Sequence, residues 1–144
     1  MKKIFTTVCI VMLGLPVVAH DGVQNEAVKA RMMVMDAVKN NFGVLGGMAR
    51  GKVAYDQAQA EQAMQELLTL SGQVPALFEA NEMDPKSEAA PAIWENWDDF
   101  VSKAEDLEFA VEGVETSSLE ALQASVGNVG AACSACHKPY RIKK

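Results

Sequence analysis

The sequence predicts an all-α fold, an up-down-up-down antiparallel four-helix bundle. Three observations carry that expectation. Apolar residues recur at helical spacing along most of the chain, strand-like alternation is scarce, and the breaks between periodic stretches are short.

In the first helix Val28, Met35, Phe42 and Ala49 recur every seven residues, interleaved with Met32, Val38 and Leu45, until Gly46-Gly47 and Gly51 weaken its end. Asp56 with Gln59 resembles a capping box opening a second helix, whose buried face is Ala63, Met64, Leu67 and Leu68. Ser71-Gly72 breaks it, and residues 81–90 form a polar, proline-containing loop. Pro91 suits the first turn of a third helix, where a missing N–H costs nothing. Ile93, Trp94, Trp97, Phe100, Val101, Leu107 and Val111 follow at helical spacing. Ser117 and Glu120 read as an S-x-x-E capping box for a fourth helix reaching about Tyr140. There is no internal repeat.

The first residues read as an address. Met1-Lys2-Lys3 is basic, Ile4 to Leu15 is apolar, and Pro16-Val17-Val18-Ala19 offers small residues for cleavage after Ala19. Residues 1–19 are therefore expected to be a signal peptide, leaving residues 20–144 as one domain in the periplasm. The apolar run is shorter than the roughly 20 residues of a spanning helix. Cleavage removes Cys9, Lys2 and Lys3, so 13 basic residues become 11 against 19 acidic, a net charge of about −8. Such a surface disfavours nucleic acid and anionic membrane, and favours a basic protein partner.

The chemistry concentrates in Cys133-Ser134-Ala135-Cys136-His137. Two thiols three residues apart share a helix face, which lets both sulfurs form thioethers with the vinyl groups of one haem while His137 turns to the iron. Three other chemistries fit poorly. Zinc wants four ligands, and beyond these three the processed chain adds only His20. A thioredoxin-type dithiol belongs in a βαβ setting. A disulfide between Cys133 and Cys136 would be strained within a helix and would leave His137 idle. Upstream, Gly127 and Gly130 sit inside the fourth helix at a cost of roughly 1 kcal/mol each relative to alanine. Close approach of a flat macrocycle and close helix–helix packing explain them equally well.

At this point the chain resembles the class II c-type cytochromes, the cytochrome c' and cytochrome c-556 family. The resemblance spans residues 20–144. It rests on the haem signature near the C-terminus, running from Gly127 through Cys133, Cys136 and His137 to Tyr140-Arg141, and on Arg31 followed four residues later by Met35. Only seven residues follow His137 and none is Met, which excludes the small mitochondrial arrangement with its downstream Met ligand. The resemblance implies one haem c inside the bundle, with His137 on the iron and Arg31 near a propionate. It places Met35 on the vacant side of the iron. Five-coordinate, gas-binding members carry a bulky apolar residue there, whereas c-556 types carry a ligating Met. Without the resemblance, Arg31 and Arg141 read as surface charges.

Met32, Met33, Met48, Met64 and Met83 are expected in core or on surface, and Met35 differs from them by its aligned position. With His137 and Met35 both bound, the iron would be six-coordinate and low-spin, a one-electron carrier with no open position. If Met35 only packs, a five-coordinate iron would bind NO or CO. No acid–base pair, nucleophile or second metal cluster suggests an enzyme. Trp94 and Trp97 read as core aromatics, and Asp98, Asp99, Glu105, Asp106 and Glu108 as a solvated face. Both monomer and homodimer are compatible with the resemblance.

Overall fold

The computed structural model describes residues 22–143; the expected signal segment and His20 lie outside them. Seven helices follow in order among the described residues: α1 (Glu26–Ala49), α2 (Gln57–Ser71), α3 (Val74–Phe78), α4 (Ala92–Glu95), α5 (Trp97–Glu112), α6 (Leu119–Ser125) and α7 (Gly127–Tyr140). The pairs α4–α5 and α6–α7 are the third and fourth helices of the bundle, each divided once. Helix α1 packs on α2, α2 on α5, and α5 on α7, while α6 returns to α1. The predicted four-helix bundle is the observed architecture.

Local chemistry sets the ends. The Asn25 side chain accepts from the Val28 N–H at 2.9 Å and opens α1. Its far end is a Schellman turn: Lys52 N–H reaches the Gly47 carbonyl and Gly51 N–H the Met48 carbonyl, both at 2.9 Å. That turn needs the left-handed backbone of Gly51, at φ +66°. Gly46 and Gly47 do not weaken the helix as expected; both are buried within it. Asp56 caps α2 as expected, accepting from Gln59 N–H at 2.8 Å.

Three expectations need correction. Helix α3, opened by Pro75, fills the stretch after Gly72 that the sequence left unassigned. The third helix is divided at Asn96, whose side chain turns back to the Ala92 carbonyl at 3.1 Å and competes with the ladder. The fourth helix is capped by Ser118, not Ser117: the Ser118 hydroxyl accepts from Ala121 N–H at 3.1 Å. Thr116 is buried and its carbonyl receives the Tyr55 hydroxyl, and the chain turns into the helix only at Ser118. Ser125 then divides α6 from α7, its hydroxyl accepting from Glu115 N–H and donating to the Ala121 carbonyl.

Two apolar clusters fill the bundle. One gathers Leu45, Met48, Leu67, Val111, Leu122 and Val129; the other gathers Val74, Phe78, Ile93, Phe100, Ala104 and Tyr140. The second is closed by the chain end, where Ala90 N–H bonds the Tyr140 carbonyl at 2.9 Å and Ile142 N–H the Glu88 carbonyl at 2.8 Å. Among the described residues no helix is long and apolar enough to cross a membrane.

Candidate haem site

A cavity of about 610 Å³ opens between α1, α5 and α7. That lies within the roughly 300–1,000 Å³ of cofactor and ligand sites. Helix α7 gives it Gly130, Cys133, Cys136, His137 and Tyr140, and α1 gives Arg31, Met32, Met35 and Phe42. The helical period explains both sets, since each residue has a partner three, four or seven positions away and so lies on or beside one face. His137 also borders a second, more open hollow of about 670 Å³, shared with Glu88, Lys138 and Arg141.

The two cysteines are half-buried free thiols. Burial pushes both up, Cys136 to about 11, so at neutral pH both keep their protons. A redox dithiol or a zinc site needs the reverse, a thiol tuned toward thiolate. Among the described residues no group of three His, Cys, Asp or Glu stands ready for a metal ion. Burial, and then the Arg141 charge, hold His137 below its ordinary value, so its imidazole is neutral with a lone pair to offer. Two protonated thiols and a neutral imidazole on one wall of an apolar cavity fit a thioether-linked haem.

Gly130 faces this cavity: a Cβ there would sit 3.4 Å from the Phe42 ring. At Gly130 α7 thus packs closely on α1, the helix–helix explanation. No such packing explains Gly127, which opens α7 where an added Cβ would meet nothing within 4 Å.

Arg31 is not a surface charge. It is 3% exposed, its Nε donates to the Leu77 carbonyl at 2.8 Å and its Nη1 to the Glu82 carbonyl at 2.7 Å, while Nη2 reaches the Ala80 carbonyl. Its guanidinium lies 5.0 Å from the Phe78 ring centroid and 5.4 Å from that of Trp94. Three of its five N–H groups are thus committed to backbone. Arg141 is paired too, its Nη2 2.5 Å from a Glu88 carboxylate oxygen.

Among the described methionines only Met32 and Met35 line the cavity. Met48 is buried in core, while Met33 and Met83 are exposed. Trp94 and Trp97 do not line it; Trp94 donates to the Phe78 carbonyl at 2.8 Å, and Trp97 stacks on Phe100 at 5.6 Å. Asp98, Glu105 and Asp106 are exposed as expected. Asp99 is exposed as well, though its carboxylate receives the Tyr140 hydroxyl at 2.5 Å, and Glu108 is half-buried. Sequence reasoning missed Tyr140, Phe42, Lys103 and Phe100 as cavity residues. Spacing could have found Tyr140, four residues after Cys136 and seven after Cys133, and Phe42, seven after Met35.

Known proteins agree with this geometry. The chain is 34% identical to cytochrome c-554 of Cereibacter sphaeroides, over 92% of both chains. It is 37% identical to a cytochrome c-556 of Agrobacterium tumefaciens, covering 81% of this chain and 98% of that one. Among solved structures, a nitric oxide complex of a cytochrome c prime variant from Alcaligenes xylosoxidans superposes with a TM-score of 0.74 at 31% identity, over 83% of this chain and 95% of that one. Cytochrome c' from Rubrivivax gelatinosus superposes at 0.71 with 27% identity, over 80% and 94%. These comparisons give no support to six-coordinate His/Met ligation over an open position. The family model described as Cytochrome C' matches residues 26–141, and the chain belongs to that family, whose cofactor is a covalently attached c-type haem.

Proposed function

We propose that this chain is a periplasmic one-electron carrier, its haem c joined to Cys133 and Cys136 and held between His137 and Met35. One observation carries the reading: Met35 of α1 and His137 of α7 line the same cavity as both thiols. When bound, the haem supplies reversible one-electron chemistry at its iron. The chain's own contribution is to fix and shield it. Cys133 and Cys136 tie it to α7, and the neutral His137 imidazole offers an axial nitrogen. Met35 offers a thioether, a neutral ligand that raises the reduction potential by favouring Fe(II). Phe42, Phe78, Ile93 and Phe100 keep water from the wall. The two uncommitted N–H groups of Arg31 are available to a propionate. Residues 1–19 would export the chain, and a redox protein would be its partner, with monomer or homodimer the working form and no enzymatic turnover.

A second reading has its own support: solved relatives from Alcaligenes xylosoxidans hold nitric oxide or carbon monoxide. In it Met35 packs without binding, and the iron stays open to such gases. Optical and EPR spectra of the ferric holoprotein separate the two. Carrier function predicts a low-spin spectrum that turns high-spin in Met35→Leu, with slow CO entry in the unaltered ferrous protein. A high-spin spectrum before any substitution would overturn it in favour of gas binding.

A further inference from the structure

Tyr140 is 5% exposed on the cavity wall, yet attaching a haem makes no use of its hydroxyl. That hydroxyl donates to Asp99 Oδ2 at 2.5 Å, and the Lys103 ammonium lies 3.4 Å from Asp99 Oδ1. The tyrosine ring meets Phe100 edge-on at 5.4 Å, and Phe100 stacks on Trp97 at 5.6 Å. A phenol gives up an electron far more readily when a positioned base takes its proton in the same step. Asp99 is such a base, and its side chain is 57% exposed, so a captured proton can pass on to water. The chain's other tyrosine is an internal contrast. Tyr55 donates to the Thr116 backbone carbonyl, which is no base, and is not on the cavity wall.

We propose that Tyr140 is a redox-active residue that donates one electron to a haem oxidised by a hydroperoxide, with Asp99 receiving the phenolic proton. The step balances. The hydroperoxide takes two electrons, and two protons from solvent water, its O–O bond breaking to give water and an alcohol, or two waters from hydrogen peroxide. One electron comes from the haem and the other from Tyr140. The phenolic O–H bond breaks, its proton passes to the Asp99 carboxylate, and a neutral tyrosyl radical remains. Two one-electron transfers from a small reductant of the ascorbate class then return the haem to its ferric state and the radical to the phenol, which takes its proton back from Asp99. The benefit lies in what is spared, because Met32 and Met35 on the same wall are otherwise open to sulfoxidation. Phe100 and Trp97 offer the oxidising equivalent a way outward.

The inference rests on the haem occupying this cavity and, in the natural chain, on Met35 leaving the iron open; in Met35→Leu it rests on the haem alone. The test therefore uses ferric holoprotein of the natural chain and of Met35→Leu, in which peroxide reaches an open iron. A visible spectrum taken first separates a chain without haem from one whose haem lacks this electron donor. Each protein, grown with ring-deuterated tyrosine, is mixed with hydrogen peroxide and frozen for EPR. We expect a radical whose hyperfine structure narrows on deuteration, lost in Tyr140→Phe and kept in Tyr55→Phe. Asp99→Asn keeps an acceptor without a base and lowers the radical yield. A radical that survives Tyr140→Phe, one on tryptophan alone, or a peroxide-treated haem with no protein radical would overturn the proposal. So would a haem spectrum that peroxide leaves unchanged in both backgrounds.

Discussion

Arg31 carries a permanent charge to a place where only 3% of it meets solvent, and no carboxylate answers it directly. The charge is dispersed over the Leu77 carbonyl in α3, the Ala80 and Glu82 carbonyls after it, and two aromatic faces. Removing it strands those carbonyls, each buried acceptor left unmade costing about 1–3 kcal/mol before relaxation. Chemical denaturation of Arg31→Met should show a loss on the order of 3 kcal/mol. A loss under about 0.5 kcal/mol, the size of an ordinary surface change, would contradict the clamp. Asp84 makes a second residue-scale case. The Lys86 N–H above all, then those of Gln24 and Asn25, bond its carboxylate and pull it below the usual range, against the opposing effect of burial. A carboxyl depressed in the folded state stabilises above its unfolded value of about 3.9. That contribution fades as pH falls below this value and through the folded one. Asp84→Asn should therefore cost stability at neutral pH and flatten the acid limb below pH about 4. An unchanged acid limb in urea titrations would refute this.

At the scale of elements, the sequence pattern puts the cap of the fourth helix at Ser117, whereas its neighbour Ser118 fills that place. The geometry selects Ser118, so Ser118→Ala should lose about 1 kcal/mol and Ser117→Ala less than about 0.5 kcal/mol. The reverse order in thermal melts would restore the S-x-x-E reading. This pair also shows what periodicity can and cannot reveal. The repeats from Val28 to Ala49 and from Ile93 to Val111 locate long helices, since a buried stripe leaves a spacing behind it. The cap register depends on Tyr55 holding the Thr116 carbonyl, a contact between residues 61 positions apart that no local window contains. The breaks at Asn96 and Ser125 likewise come from side chains bonding backbone, which leaves apolar spacing untouched. For the site, Cys133, Cys136 and His137 are legible because their chemistry is local. Tyr140 and Phe42 share a spacing with recognised residues but needed the bundle to bring α1 and α7 face to face.

Across the whole molecule, the cavity between the two apolar clusters makes the cofactor part of the fold. A ligand that binds only the folded chain adds its binding free energy to stability, and a covalent one is never lost by dilution. Chain produced without haem attachment should melt at a lower temperature than holoprotein, by circular dichroism, with Phe42, Phe78 and Phe100 then lining unfilled space. Equal melting temperatures would mean that the cavity closes without help. Everything here depends on a covalent bond from each of two sulfurs to one porphyrin. The most direct measurement is the intact mass of denatured protein made in a host that attaches haem, with Cys133→Ala and Cys136→Ala beside it. The prediction is a coloured chain heavier than its polypeptide by one haem, with the double variant losing that mass. A natural chain of bare polypeptide mass would contradict it.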